Sequence, residues 1–151
     1  MTVPAFYPDV AAVGAILASR TVDTSGMELG TFTEDTRPTD AQVDILIDNA
    51  AQMVISKIGD QIPESIEPIA QTTIAIRAAM FVELTYFPEQ MKNDKSAYLN
   101  LKEMFDEQMA LLSAAYANVV AGGTLGSNPD AYPSYGFPAS GEGMIGWDTR
   151  W

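Results

Sequence analysis

The stretch Ile62–Phe87, IPESIEPIAQTTIAIRAAMFVELTYF, decides the fold because it is the most apolar segment of the chain. Pro63 and Pro68 lie near its start, where proline suits the first turn of a helix but not its interior. After Pro68, only Arg77 and Glu83 carry a charge. A helix with one apolar face would have more polar positions. We therefore predict a helix that other elements surround on nearly all sides.

This helix would be long enough, at about 30 Å, to cross a bilayer. Gln71, Thr72 and Thr73 lie inside it together with the two charges, and the uncharged runs are too short to span the hydrocarbon. We therefore expect a buried core helix and no membrane partner. The N-terminus, MTVPAFYPDV, lacks the basic region of a signal peptide, which predicts synthesis in the cytoplasm.

The segment 40–58 carries a clear helix signal. Thr39 and Gln42 form a capping box, Lys57 lies in the last turn, and Gly59 is placed to end the helix. Its apolar residues recur at intervals of three and four, which predicts one buried face. They are Val43, Leu46, Ile47, Ala50, Val54 and Ile58.

Two further helices are predicted, at about 9–19 and 94–121. Asp9 is a suitable N-cap for the first, which Gly14 weakens. In the second, apolar positions alternate spacings of three and four over about three heptads, which favours packing within the chain over a coiled coil. Additional apolar residues broaden that stripe and offer a face to a neighbouring subunit. The residues at the alternating positions, which we call the seam, are Tyr98, Leu101, Phe105, Gln108, Leu112, Ala115 and Val119. The additional residues are Met104, Met109, Leu111 and Tyr116.

The predicted fold is therefore all-α, a small four-helix bundle with helices at about 9–19, 40–58, 64–87 and 94–121. A long loop, 20–38, separates the first two helices. The helical domain spans 1–121, and an extended arm spans 122–151.

The loop 20–38 is rich in Thr, Asp and Gly. A loop of this length in a compact domain is usually functional or ordered by a partner. Its acidic residues suggest a calcium site, but their spacing does not fit D-x-[DN]-x-[DN]-G, so we expect none. Those residues are Asp23, Glu28, Glu34 and Asp35.

The arm holds seven of the eleven glycines and three of the nine prolines. It also carries five large aromatic residues, whereas flexible linkers are poor in aromatics. This composition favours docking onto another chain; the alternative is that the arm wraps back over its own bundle. The aromatic residues are Tyr132, Tyr135, Phe137, Trp147 and Trp151.

The composition excludes much chemistry. The chain has no cysteine and no histidine, which removes the commonest nucleophile, general base and metal ligands. No two carboxylates lie among apolar neighbours that would separate their pKa values, so we expect no enzyme, no metal and no cofactor. A net charge of −12 argues against binding to the DNA backbone. Glu83 is the exception among the acids, and we expect a buried ion pair with Arg77 or with a neighbouring element or subunit.

Three segments in order resemble the head-to-tail adaptor proteins (head-completion or connector proteins) of long-tailed double-stranded-DNA bacteriophages. They are GTFTEDTRPTDAQVDILIDNA, the apolar helix ending in VELTYFPEQ, and the helix that follows. With the N-terminal FYPDVAAVGAILASRT, the likeness is greatest to adaptors of phages that infect actinobacteria. It covers about residues 5–121.

The resemblance implies a virion protein at the head-tail junction, in a ring of about twelve copies beneath the portal. Its partners would be the portal protein and the next connector or tail-completion protein. DNA would pass through the channel without sequence-specific binding. The arm 122–151 would dock on the portal, and the loop would face the channel or a neighbour through Asp23, Glu28, Phe32, Glu34 and Asp35.

Two other functions stay open. The first is a soluble acidic helical binding module, an inhibitor or regulator of a basic partner, whose mark is a stable monomer. The second is a carboxylate-based enzyme, which requires a concave pocket with two converging acids.

Overall fold

The computed structural model describes residues 4–89 and 97–122, and this part of the chain is all-α, as predicted. No strand occurs among these residues, and none of their helices combines the length and hydropathy that a bilayer crossing needs. The helices are α1 (Val10–Ile16), α2 (Asp40–Ile58), α3 (Glu67–Tyr86) and α4 (Ala97–Val120), with 3₁₀ turns at Ala18–Arg20 and Glu64–Ile66.

Helix α3 is the centre of the bundle and packs against each of the other three helices. Half of its residues are buried, because four alanines let the neighbouring helices approach on several sides. It begins after the short turn that follows Pro63, with Pro68 in its first turn, where the missing N–H costs nothing. The buried residues are Ala70, Thr73, Ile74, Ala75, Ile76, Ala78, Ala79, Met80, Val82 and Glu83.

Helix α2 has the predicted bounds. The backbone N–H of Gln42 donates to Thr39 Oγ1 at 3.4 Å, and the N–H of Thr39 donates to Gln42 Oε1 at 3.0 Å, which completes the capping box. Gly59 ends the helix. The face towards the core is the predicted one, with Leu46 and Ile58 half-buried at its margin. Its buried residues are Val43, Ile47, Ala50, Ala51 and Val54.

Helix α1 is shorter than predicted and ends at Ile16, where the chain tightens into a 3₁₀ turn up to Arg20. Asp9 caps it by accepting a hydrogen bond from the N–H of Ala12 at 2.7 Å. Gly14 has a packing role, since a Cβ there would lie 2.9 Å from the Cα of Thr31. The glycine therefore lets the long loop cross the helix at backbone distance.

Helix α4 packs on α3 along the predicted seam. Leu101, Phe105, Leu112 and Ala115 are buried, and Met109 joins them. The half-buried members are Tyr98, Gln108 and Val119. Met104 and Leu111 lie outside the seam with 46% and 52% of their surface exposed, so α4 has an uncovered apolar flank.

Met80→Asp is expected to unfold the bundle. The Met80 side chain is 1% exposed at the centre of α3, and an aspartate there would be a buried charge without a partner. The cost should be about 4 kcal/mol or more, a large part of the stability of a small domain. Met104→Asp is the matched control, because this methionine is largely exposed. Circular dichroism during urea denaturation measures both; near-native stability of Met80→Asp would contradict the central position of α3.

Candidate functional site

The long loop is fastened to α3 by a buried ion pair. Arg20 Nε donates to Glu83 Oε1 at 2.7 Å, and Nη2 donates to Oε2 at 3.1 Å. The two side chains are 17% and 2% exposed, and the guanidinium carbon lies 4.4 Å from the centre of the Phe87 ring. This two-bond arrangement fixes orientation as well as distance. The start of the loop is thereby held at the C-terminal end of α3.

Glu83 therefore pairs with Arg20 on a neighbouring element, and not with Arg77. The sequence left this partner open between Arg77 and a neighbouring element, and no local pattern points from Glu83 to Arg20. A carboxylate inside an apolar helix needs a cation, and the chain offers only eight. Arg77 lies in the same helix but six residues away, which places the two side chains on different faces of α3.

Hydrogen bonds of Thr21 connect the start of the loop to residues 29 and 30. Its carbonyl accepts from the N–H of Leu29 at 2.8 Å, and its Oγ1 accepts from the N–H of Gly30 at 3.0 Å. The same hydroxyl donates to the carbonyl of Ala18 at 2.7 Å. Thr21 itself is fully buried, whereas Leu29 and Gly30 are exposed. The loop is consequently closed at its base.

The tip of the loop is organised by Asp23. Its Oδ1 accepts from the N–H and Oγ of Ser25, at 2.8 and 2.6 Å, and from the N–H of Met27 at 2.9 Å. These bonds, that of the Ser25 hydroxyl first, hold the pKa of Asp23 below its usual value. Gly26, with φ of 87°, provides the left-handed conformation that this turn requires. Asp23 thus shapes the turn, which presents Met27 with 62% of its surface exposed.

Phe32 does not face a channel or a neighbour, and that prediction is wrong. Its side chain is 3% exposed and belongs to the core of its own chain. The loop passes close to Gly14 at Thr31, so the next side chain is directed into the bundle. Thr36 is also buried; its Oγ1 accepts from the N–H of Thr33 at 3.0 Å and donates to the carbonyl of Pro38 at 2.7 Å.

The other acids of the loop are on the surface. Glu28, Glu34 and Asp35 are exposed. Glu34 and Asp35 line a cavity of about 410 Å³ between the loop and the start of α2, together with Arg37 and Tyr86. Among residues 4–89 and 97–122, no three acidic side chains come close enough to hold a metal ion. This surface is therefore concave, exposed and acidic.

Three acids form a row on the outer face of α2, which we call the acidic row. Asp40, Asp44 and Asp48 are spaced four residues apart and are all exposed. Partial desolvation, then repulsion from Asp40 and Asp48, raises the pKa of Asp44. This row holds unbalanced negative charge, since none of the ion pairs in the described part of the chain includes it.

Arg77 lies in a different place, between α2, α3 and α4. Its guanidinium carbon is 4.6 Å from the centre of the Phe81 ring and 5.2 Å from that of Phe105. Nε donates to the sulfur of Met53 at 3.2 Å. Arg77 is therefore held by aromatic and thioether groups.

The arm residues predicted to bind a partner, Tyr132, Tyr135, Phe137, Trp147 and Trp151, lie outside the described residues.

A double-mutant cycle tests the pair that holds the loop. Arg20→Met or Glu83→Met alone should cost about 3–5 kcal/mol, because each leaves the opposite charge buried. The double variant should cost less than either single change. The exposed pair Lys102 and Asp106 is the control, with an expected coupling under about 1 kcal/mol. Free energies from urea denaturation measure both cycles; additive losses at Arg20 and Glu83 would show that the pair is not coupled.

Asp44→Asn is expected to stabilise the protein at neutral pH by a few tenths of a kcal/mol, the size of a like-charge contact at this spacing. A raised pKa means that the folded state holds this proton more tightly than the unfolded state. Protonated Asp44 therefore contributes stability that is fully present below its usual pKa of 3.8. That contribution is lost as the pH rises from 3.8 through the higher pKa of the folded state. Below pH 3.8, where Asp44 is protonated and uncharged, Asp44→Asn should be no more stable than the wild type.

Urea denaturation at about pH 7 and pH 3 measures this difference, on either side of the titration. Asp60→Asn, beyond the end of α2, removes the same charge away from the row and should change little. A loss of stability in Asp44→Asn at neutral pH would contradict the repulsion within the row.

Comparison of the chain with protein-family models, with curated proteins and with solved structures gave no match. The functional argument therefore rests on the sequence patterns and the geometry of this chain. The described residues show three features: a closed loop fastened by Arg20 and Glu83, two acidic surfaces, and a half-buried Arg77 against the rings of Phe81 and Phe105.

Proposed function

We propose that the protein is a structural component of a bacteriophage virion, a head-to-tail adaptor. In this proposal about twelve copies form a ring that joins the portal of the DNA-filled head to the tail. The ring extends the DNA channel and helps to retain the genome. The proposal rests on the resemblance of segments over residues 5–121 and is supported by the construction of the loop.

The observation that carries the proposal is the fastened loop. Residues 21–38 contain no helix and no paired strand beyond two isolated bridges, yet part-buried hydrogen bonds of Arg20 and Thr21 hold their base. The same loop exposes Met27 at its tip and acids along its side. Rigid loops that present apolar and charged groups are typical of surfaces that contact other proteins.

The charge of the chain suits a DNA channel. Twenty acids against eight basic residues give a net charge of −12. Acids that line a channel repel the phosphates, so the duplex slides without binding. Glu28, Glu34 and Asp35 are available for this role, whereas Asp23 is engaged in its own turn.

The acidic row on α2 favours a second candidate, a soluble acidic module that inhibits or regulates a basic partner. Asp40, Asp44 and Asp48 repel one another, and a basic partner would relieve that repulsion. Such a protein would be a stable monomer in the presence of a portal. Sedimentation of the chain with and without its portal protein separates the two candidates.

Truncation after Gly122 tests the adaptor. Gly122 follows the last turn of α4, so the bundle should stay folded, whereas binding to the portal protein should be lost. The double variant Trp147→Ala, Trp151→Ala makes the same test while keeping the rest of the arm. It should weaken portal binding, since buried aromatic anchors typically contribute about 2 kcal/mol or more each to binding. Ser134→Ala with Ser140→Ala is the matched control within the arm. Wild-type binding by the truncated chain would show that the arm does not dock on the portal.

A further inference from the structure

Two of the eight basic residues of the chain meet at one aromatic ring. Lys57 Nζ lies 5.8 Å from the centre of the Phe105 ring, and the guanidinium carbon of Arg77 lies 5.2 Å from it. Lys57 is exposed at the end of α2, and Arg77 is half-buried on α3. These two cations and the ring form what we call the cationic cleft.

The charge of the cationic cleft is not neutralised within the described chain. Over residues 4–89 and 97–122, no carboxylate oxygen lies within 4 Å of Lys57 or Arg77. In the described part of the chain, the Arg77 guanidinium donates to the sulfurs of Met53 and Met80, at 3.2 and 3.7 Å, and thioethers accept hydrogen bonds only weakly. A half-buried guanidinium has N–H groups that suit a carboxylate. The cleft therefore fits an acidic partner.

The acidic row has the opposite charge and lies on the same helix, but it cannot reach the cleft in its own chain. Lys57 is nine residues beyond Asp48, which is about 13 Å along the helix axis. At 3.6 residues per turn, nine residues also place Lys57 on the opposite side of α2 from Asp48. Each copy thus carries two complementary patches that face different directions.

We infer that the cationic cleft of one copy binds the acidic row, Asp40, Asp44 and Asp48, of the next copy. The contact joins two different patches, so it is heterologous and builds a ring when the rotation closes. Complementary charges fix the register of neighbouring copies. The inference rests on the proposed ring and identifies the surfaces through which that ring closes.

Charge exchange tests the contact. Lys57→Glu and Asp48→Lys should each weaken self-association about ten-fold or more, because each places like charges opposite one another. An equimolar mixture of the two variants should regain wild-type association, since every contact in an alternating ring pairs opposite charges again. Lys102→Glu is the matched control; it reverses an exposed cation on α4 that already contacts Asp106, and it should leave association unchanged.

Sedimentation velocity over a concentration series measures each protein, and circular dichroism checks the fold. If a reversed variant does not fold, Lys57→Gln and Asp48→Asn give the same direction with a smaller loss. A wild-type chain that stays monomeric at the highest concentration overturns the inference, and so does a mixture that fails to recover. Binding of the chain to the portal protein is measured separately. If the chain binds the portal but the charge variants self-associate like the wild type, the inference is wrong and the adaptor proposal stands. If the mixture recovers association but the chain does not bind the portal, the adaptor proposal is wrong and the inferred contact stands.

Discussion

The rest of the structure depends on how the carboxylate of Glu83 is accommodated. A charged group that is 2% exposed in the most apolar helix would be strongly unfavourable without a cation. Only a residue that reaches α3 from another element can provide it, and Arg20 does so from the end of the turn after α1. The pair therefore fixes the start of the loop, at the end of the 3₁₀ turn that follows α1. An apolar residue at position 83 would be compatible with the bundle, but it would not hold the loop in one place.

Once the loop is held at Arg20, the bonds of Thr21 and the close approach at Gly14 determine its path. The chain crosses α1 at Thr31, and the ring of Phe32 enters the core. What remains on the outside is the part that Asp23 folds into a turn. The loop thus has a buried half, which belongs to the bundle, and an exposed half, which is available to a partner. This division explains how a long segment without regular structure can present a defined surface.

The sequence predicted the helices well because their signals are local. The capping box at Thr39 and the apolar periodicity of α2 depend on neighbours within a few residues, and both bounds of that helix were correct. The loop was predicted less well because its order depends on contacts between distant residues. Arg20 lies 63 residues from Glu83, and neither has a pattern that identifies the other. Phe32 was assigned to the surface for the same reason, since an irregular segment has no period that separates inward from outward positions.

Net charge describes the chain less well than the distribution of its charges does. A value of −12 predicts that copies repel one another, and at physiological salt that repulsion is screened over about 8 Å. A contact within that distance depends on local charge, and Lys57 and Arg77 are two cations that meet at the Phe105 ring. The proposed contact between copies therefore relies on local opposite charges to offset the repulsion between whole chains, which makes it dependent on protein concentration.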